Sequence, residues 1–310
     1  MQDVIIIGAG PTGLAAALYT AREGYSTTIL ESGIIGGLAA ITAEIENYPG
    51  FEEGIGGIEL SDKLAKQAKR FGAIITTGKK ATGIVQQDSN LAVMVGEEAI
   101  IAKAVIIATG STYRMLGCPG EAELIGKGVH FCATCDGPVY RGREIIVVGG
   151  GNSALQETIF LARFASKITI VARADKFSAS QVLIDEVNGL PNVITRFNAN
   201  IASFEQAEGK FIGAKLLIKG QDELEMLEAA AVFELIGLLP NTSVFKGLID
   251  LDEVGFVQTN MHYQTNITGV FAAGDVRSGS TWQIASAVGE GASAALEVRK
   301  YLDGQAKTTA

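Results

Sequence analysis

The chain has 310 residues, of which 47% are hydrophobic and 19% are charged. That composition excludes disorder, because the chain can bury enough apolar surface to offset the entropy cost of ordering. No apolar run approaches the length of a membrane span. The formal net charge of −9, without a cluster of Lys and Arg, disfavours nucleic acid as a partner. We therefore expect a folded protein that binds neither membrane nor nucleic acid, and the length favours two domains.

The N-terminus starts with a strand-like apolar run at residues 3–7 and lacks the pattern of a signal peptide. This favours a cytoplasmic location. Glycine is in excess, with 38 residues, yet it has no Gly-X-Y period and is accompanied by only 6 prolines. These glycines are therefore expected at turns that specifically require them.

Two segments of the chain repeat each other. Residues 4–31 read VIIIGAGPTGLAAALYTAREGYSTTILE, and residues 145–172 read IIVVGGGNSALQETIFLARFASKITIVA. Each has a β-branched run, a glycine turn, an apolar helix pattern and a second β-branched run, which is the pattern of a βαβ unit. Such a turn binds a pyrophosphate at the helix N-terminus, although it can also be purely structural. Two copies predict two dinucleotide sites, formed by Gly8, Gly10, Pro11 and Gly13 and by Gly149, Gly151, Asn152 and Ser153.

The two copies differ at the position that binds the ribose. The first ends in Glu31, whose carboxylate suits the unphosphorylated ribose of FAD or NAD. The second has Ala172 at this position, followed by Arg173, which favours the 2′-phosphate of NADP. The alternative for Arg173 is a solvated side chain after a strand.

Cys132 and Cys135 form a Cys-x-x-Cys pair ahead of the second copy, and Asp136 follows directly. In a reducing compartment this spacing indicates thiol–disulfide exchange, with the carboxyl group as a general acid for a departing thiolate. Half of a metal site, or two buried thiols, are the alternatives. A second pair of ligands is missing from the sequence, so we predict no metal. His130 and His262 have no partners that the sequence identifies, and both are assigned packing or surface roles.

Residues 269–275 read GVFAAGD and place Asp275 directly after a strand, where it can accept hydrogen bonds from ribose or ribityl hydroxyls. A simple turn residue is the alternative. Loops at 111–120 and 237–242 are candidate boundaries, so the second βαβ unit is inserted into the first domain. The predicted fold class is α/β, with two Rossmann-like (βαβ) nucleotide-binding domains, the second inserted into the first. Their predicted ranges are 1–112 with 243–310, and 113–242.

Five motifs, in the same order and spacing and across essentially the whole chain, resemble the low-molecular-weight thioredoxin reductases. They are GAGPTG at 8–13, ENYPGF at 46–51, CATCDG at 132–137, GGGNSA at 149–154 and GVFAAGD at 269–275. The resemblance implies a two-segment FAD domain, an inserted nicotinamide-binding domain with the redox pair, a homodimer, and a large rotation between the domains.

The resemblance also implies residue roles. Cys135 would face the flavin, Cys132 would attack the disulfide of a thioredoxin-like protein, and Asp136 would donate the proton. FAD would be bound by Gly8, Gly10, Pro11, Gly13, Glu31, Ser32, Gly37, Leu38, Asn47, Ala108, Thr109, Gly110, Gly274, Asp275, Trp282, Gln283 and Ile284.

The second nucleotide site departs from the family pattern. The family usually has His-Arg-Arg-Asp and a later Arg, where this chain has Ala172-Arg173-Ala174-Asp175 and Ser178. Each lost charge-assisted contact costs about 1.5–3 kcal/mol, so two losses would weaken NADPH binding by about two to four decades. Near the flavin, Leu38 and Trp282 replace the usual Gln and Arg.

The sequence therefore leaves the reductant of the flavin open. We favour ferredoxin or another non-pyridine donor over NADPH, which is doubtful; a second flavin against Trp282 is a further candidate. The alternatives are a conventional NADPH-dependent thioredoxin reductase and an FAD-binding redox sensor without turnover. An NADPH:ferredoxin-type oxidoreductase is disfavoured by the cysteine pair, which such proteins lack.

Overall fold

The computed structural model describes residues 1–42, 44–87 and 89–308. Its strands, numbered in chain order, are β1 (Gln2–Ile7), β2 (Thr27–Glu31), β3 (Ile74–Thr77), β4 (Gly83–Gln87), β5 (Asn90–Val95), β6 (Glu98–Ile107), β7 (Ser111–Tyr113), β8 (Val129–His130), β9 (Glu144–Val148), β10 (Lys167–Val171), β11 (Val193–Arg196), β12 (Ala199–Ala207), β13 (Lys210–Ile218), β14 (Glu225–Glu228), β15 (Ala231–Glu234), β16 (Leu238–Pro240) and β17 (Val270–Ala272). Its α-helices are α1 (Pro11–Arg22), α2 (Gly57–Arg70), α3 (Glu121–Leu124), α4 (Ala133–Asp136), α5 (Asn152–Leu161), α6 (Gln181–Asn188) and α7 (Ile284–Thr308). Short 3₁₀ helices lie at Gly37–Ile41, Gly137–Tyr140 and Ser243–Phe245.

The chain folds into two compact units. The first consists of residues 1–112 and 239–310, and the second of residues 113–238. The sequence places the second boundary after residue 242, whereas the contacts place it after residue 238. Asn241 explains the difference, because its backbone N–H donates to Gly110 O at 3.0 Å and its side-chain amide donates to Thr109 O at 2.8 Å.

The first unit contains a mixed sheet in the order β3-β2-β1-β6-β5-β4. Strands β1, β2, β3 and the second half of β6 run parallel, and β17 joins β6 in parallel as well. The β4–β5 hairpin pairs antiparallel with the first half of β6. A run of consecutive apolar residues such as Val4–Ile7 suits β1, because a central parallel strand is buried on both faces.

Alternate residues of β1 enter two different cores. Val4 and Ile6 pack with Leu14 of α1 and with Val298 of α7. Ile5 and its alternate neighbours pack on the other face, with residues of β5, β6 and the segment that precedes β17. The sheet is thus covered on both faces, and its strands end beside the turn that precedes α1.

The second unit has a parallel sheet in the order β11-β10-β9-β15-β8. Helices α5 and α6 cover one face, where Leu155 packs with Val147 and Phe233. The antiparallel sheet β12-β13-β14 covers the other face, where Phe204 and Phe211 pack against the strands. This second, smaller sheet is not anticipated by the sequence.

Helix α7 spans 25 residues and packs along α1 in the first unit. A Cβ on Gly291 would collide with the backbone carbonyl of Thr12, so glycine permits this close approach. Gly289 has no atom within 4 Å of its own Cβ position. Within the described ranges, neither α7 nor another helix has the length and apolar character that a membrane span requires.

These two glycines give a matched pair for testing the helix packing. Gly291→Ala is expected to lower the free energy of unfolding by about 2–3 kcal/mol, because the added methyl group pushes α7 away from α1. Gly289→Ala, in open space on the same helix, should raise it by about 0.5–1 kcal/mol through helix propensity. Thermal unfolding followed by circular dichroism measures both, and equal effects would contradict the packing.

Candidate functional site

The first glycine turn lies between β1 and α1. Gly8 has a φ of +108°, and a Cβ there would collide with the carbonyl oxygen of Ala108. A Cβ on Gly13 would collide with the carbonyl oxygen of Gly8, so α1 packs directly on the turn. Gly10 has no atom within 4 Å of its Cβ position, and Pro11 begins α1. The start of α1 therefore leaves room for a pyrophosphate at the positive end of the helix dipole.

Glu31 ends β2 beside this turn and is buried. Its carboxylate accepts hydrogen bonds from the backbone N–H of Ala9 at 2.7 Å and of Gly33 at 2.6 Å. A carboxylate offers about four lone-pair sites, so acceptor capacity remains for ribose hydroxyls. The adjoining cleft, of about 300 Å³, falls within the size range of small-ligand sites. Among its lining residues are Gly8, Glu31, Ser32, Lys79, Lys80, Thr109 and Asn241.

Other residues that the resemblance assigns to FAD surround the same turn. A Cβ on Gly37 would lie 3.7 Å from the Cα of Gly10, and Leu38 follows in the same 3₁₀ helix. On the opposite side, the Thr109 hydroxyl donates to Asn241 O at 2.9 Å. The structure therefore brings these predicted residues, from four separate stretches of sequence, around one helix N-terminus.

Asp275 follows β17 and lies close to the start of α1. The preceding Gly274 has a φ of +76°, and a Cβ on it would collide with the Thr12 hydroxyl. Burial, together with the nearby Glu290 charge, raises the pKa of Asp275 to about 6, although a hydrogen bond from the Ser280 hydroxyl lowers it. That hydrogen bond is long, at 3.3 Å, and therefore weak. The Asp275 carboxyl group is thus suited to accept further hydrogen bonds from the hydroxyl groups of a ligand.

Side chains predicted to lie near the flavin meet at the start of α7. The amide of Asn47 donates to Gln283 Oε1 at 3.1 Å, and Ile284 is the first residue of α7. Trp282 has a φ of +51°, a left-handed conformation that is costly for a side chain other than glycine. Its indole is 45% exposed and lies 5.9 Å from the Phe256 ring, tilted by 47°. One face of the indole is thus available to a planar ligand.

The second glycine turn lies between β9 and α5. Gly149 has a φ of +147°, and a Cβ on it would lie 2.6 Å from the carbonyl oxygen of Leu235. Gly151 is the N-cap of α5, and Asn152 and Ser153 are its first residues. The backbone geometry of a dinucleotide turn is therefore present in the second unit as well.

The segment after β10 folds back onto this second turn. The backbone N–H and the hydroxyl of Ser178 both donate to Gly150 O, at 2.8 and 3.2 Å. Asn152 Oδ1 accepts from the backbone N–H of Ser180 at 2.8 Å. Arg173 is exposed. The Ser178 hydroxyl is thus bonded to the backbone of the glycine turn.

Cys132 and Cys135 form a disulfide that closes around α4. The backbone N–H of Cys135 donates to the Sγ of Cys132 at 3.1 Å. On the neighbouring helix α5, burial raises the pKa of Glu157, while the backbone N–H groups of Ala133 and Thr134 lower it. We call residues 132–136 the redox turn. Backbone N–H groups of the redox turn therefore hold it against α5.

The sequence identifies no partners for the two histidines, and the structure provides partners for both side chains. His130 Nδ1 lies 3.3 Å from Asp136 Oδ2, and its Nε2 lies 2.7 Å from the Tyr140 hydroxyl oxygen. His262 Nδ1 lies 3.4 Å from Glu297 Oε2 and is half exposed, so its surface role stands. No local pattern indicates the contact between His130 and Asp136, because β8 ends at His130.

Cys118 is a free, partly buried thiol in the second unit. Burial raises its pKa to about 12, and the charges of Glu121 and Glu234 add to the effect. Burial, with Glu121 as its neighbour, raises the pKa of Glu234 to about 9, which keeps that carboxyl group neutral at pH 7. Glu121 accepts from the backbone N–H groups of Leu116 and Gly117 at 2.7 and 2.6 Å and so holds the loop before Cys118.

Comparison with known proteins agrees with this geometry. Residues 2–291 match the model of the pyridine nucleotide-disulphide oxidoreductase family. The thioredoxin reductase of Bacillus subtilis is 42% identical over 303 residues, which cover 98% of this chain and 95% of the relative. That of Listeria monocytogenes is 43% identical over 303 residues, covering 98% of this chain and 94% of the relative.

A solved structure leads to the same family. The crystal structure of thioredoxin reductase from Streptococcus pyogenes superimposes with a TM-score of 0.94 at 36% identity, covering 98% of this chain and 99% of that one. The similarity extends over both units, and the nucleotide turns and the cysteine pair lie within the matched residues. This chain therefore belongs to the low-molecular-weight thioredoxin reductases, a family of flavoprotein disulfide oxidoreductases.

Proposed function

We propose that this protein uses FAD to reduce its Cys132–Cys135 disulfide and then reduces the disulfide of a thioredoxin-like protein. The observation that carries the proposal is the disulfide itself, which lies on a short turn with the Asp136 carboxyl group directly after it. The family sets the reaction class, and this turn is where we assign the exchange.

The residues of the first unit fit FAD. The open space at Gly10 admits a pyrophosphate, Glu31 retains acceptor capacity for a ribose, and the weakly bonded carboxyl of Asp275 suits ribityl hydroxyls. Asn47 and Gln283 offer amide groups at the flavin end. FAD, when bound, would supply an electron pair to the disulfide of the redox turn.

The chemistry of the cysteines follows from thiol–disulfide exchange. As a thiolate, Cys132 attacks one sulfur of the substrate disulfide, forming a mixed disulfide and releasing the other substrate sulfur as a thiolate. Asp136 gives that thiolate a proton. Cys135 then attacks Cys132, restores the internal disulfide and releases the second substrate sulfur. The substrate gains two electrons from the dithiol and two protons, one from Asp136 and one that the Cys135 thiol gives up as it becomes the attacking thiolate.

The donor to the flavin is a separate part of the proposal. Two observations favour a non-pyridine donor, such as ferredoxin, over NADPH. First, the 2′-phosphate of NADPH, placed after β10, would contact Arg173 but would lack the two other arginines that the family pattern has. Second, the hydroxyl of Ser178, at one of those two positions, is bonded to the glycine turn. The exposed indole of Trp282 offers a stacking face for a second flavin, which is a further candidate. A conventional NADPH-dependent reductase and an FAD-binding sensor remain the alternatives.

We further propose a homodimer in the cytoplasm. The proposal is supported by the family to which the chain belongs. Light scattering combined with size-exclusion chromatography measures the oligomeric state directly.

The donor can be tested by anaerobic titration of the FAD-loaded protein, with flavin bleaching as the readout. We expect slow bleaching by NADPH and by NADH, and faster bleaching by reduced ferredoxin. The double variant Ala174→Arg/Ser178→Arg should strengthen NADPH binding by about two to four decades by restoring two phosphate contacts. NADH serves as the control because it lacks the phosphate. Rapid bleaching of the unaltered protein by micromolar NADPH would overturn the proposal that NADPH is not the donor. No turnover with any donor would favour the sensor.

The cysteine roles can be tested by reducing the FAD-loaded protein with dithionite and adding oxidised thioredoxin. Cys132→Ser should abolish electron transfer to thioredoxin, because the attacking sulfur is gone. Cys135→Ser should instead trap a mixed disulfide, because the resolving thiolate is missing. Cys118→Ser is the matched control and should leave the rate unchanged, since the thiol is protonated at pH 7. Full activity in Cys132→Ser would refute the assigned roles.

Asp275 predicts a pH dependence of FAD binding. Its pKa is raised to about 6 without flavin, whereas hydroxyl donors favour the carboxylate, so binding requires loss of the proton. Affinity should be full above pH 6 and should fall below it, by up to about tenfold per pH unit. Fluorescence titration of FAD between pH 5 and 8 measures this. Asp275→Asn should bind FAD more weakly at pH 8 and lose the pH dependence, and an unchanged slope in that variant would refute the assignment.

A further inference from the structure

We propose that His130 is a positioning residue for Asp136 during thiol–disulfide exchange. The inference rests on the proposed role of Asp136 as the proton donor. It assigns a function to a side chain that the sequence left with a packing role.

The sheet of the second unit fixes the backbone of His130. β8 pairs in parallel with β15, and His130 stands opposite Phe233 in the register. The two rings are stacked with their centroids 5.4 Å apart, and Tyr140 meets both edge-on. His130 is 8% exposed. The imidazole is thus packed between Phe233 and Tyr140, with Nδ1 toward Asp136.

We assign the ring the Nδ1–H tautomer as part of this inference. Burial raises the pKa of Tyr140, with a further contribution from the charge of Asp136 and an opposing one from Arg143, so the phenol keeps its proton at neutral pH. In this assignment the phenol donates to Nε2 of His130, and the two atoms are 2.7 Å apart. The N–H of the imidazole is then on Nδ1. That N–H points at Asp136 Oδ2, 3.3 Å away.

This arrangement matters at the step in which the substrate sulfur departs. The bond between the two substrate sulfurs breaks as the Cys132–substrate bond forms, and the proton moves from the Asp136 carboxyl to the departing thiolate. Asp136 is left as a carboxylate, which Nδ1–H stabilises without losing its own proton. Because the Asp136 side chain is 27% exposed, water can return the proton afterwards. His130 thus orients the acid and stabilises its conjugate base, as the orienting member of a triad does.

Several titratable groups face this pair and enter its pH dependence. Tyr140 lies behind the imidazole, and Arg143 acts on Tyr140. Glu157 of α5 lies against the backbone of the redox turn. These groups are unchanged in the variants below, except where Tyr140 is the residue replaced.

The experiment uses FAD-loaded protein reduced by dithionite, mixed anaerobically with oxidised thioredoxin, and follows the single-turnover rate from pH 5.5 to 9. His130→Phe keeps a ring against Phe233 but removes Nδ1–H, and it should slow transfer about tenfold at pH 7 and change the pH profile. His130→Asn places an amide N–H near the Nδ1 position and should recover most of the rate. Tyr140→Phe should have a smaller effect, about threefold, because the tautomer is no longer imposed. His262→Phe is the control and should leave the rate unchanged.

The double variant His130→Phe/Asp136→Asn separates this inference from the proposed function. If His130 acts through Asp136, the double variant is as slow as Asp136→Asn alone. A slow Asp136→Asn with an unaffected His130→Phe overturns the inference and leaves the proposed function standing. An unaffected Asp136→Asn removes the proposed role of Asp136. If His130→Phe does not fold, the transfer rates of His130→Asn and Tyr140→Phe are compared instead. Equal slowing in these two variants would count against positioning of Asp136 through Nδ1–H.

Discussion

The carbonyl oxygen of Gly8 occupies the space that a side chain at residue 13 would need, and the first unit is organised around that contact. It allows α1 to begin directly on the end of β1. Two further backbone approaches converge on the same helix turn, from Gly274 toward the Thr12 hydroxyl and from Gly291 toward the Thr12 carbonyl. The sheet, α7 and the loop that carries Asp275 are therefore all positioned by contacts with the first turn of α1. A nucleotide that lies there contacts residues whose spacing is determined by backbone contacts rather than by flexible side chains.

The second unit uses the same construction with less crowding at its turn. Ala154 stands where the first copy has Gly13, and a Cβ on Gly149 would lie 2.8 Å from the Ala154 Cβ. The turn has the same backbone geometry as the first copy, with Gly149 at a positive φ. The two copies differ in the residue that follows the second strand of the unit, which is Ser32 after Glu31 in the first and Arg173 after Ala172 in the second.

Local patterns predicted much of this molecule. The two βαβ units, the strand before Asp275 and the helix of α7 follow from apolar periodicity and glycine turns, which depend on neighbours in sequence. The features that sequence reasoning missed depend on distant contacts. His130 meets Tyr140 and Asp136 only because β8 pairs with β15, and the boundary lies before Asn241 because that residue bonds with the segment after β6. The left-handed backbone of Trp282 likewise has no local signal, because tryptophan seldom adopts it.

The surroundings of Cys118 bear on the integrity of the redox pair. A thiol with a pKa of about 12 is ionised in roughly one molecule in 10⁴ at pH 8. Exchange requires a thiolate, so this third cysteine is almost unable to attack the internal disulfide or a mixed disulfide with the substrate. Burial of the thiol, with a smaller contribution from the neighbouring carboxyl groups, therefore limits incorrect disulfide pairing. Electrons that reach the dithiol can leave through the substrate without being diverted within the chain.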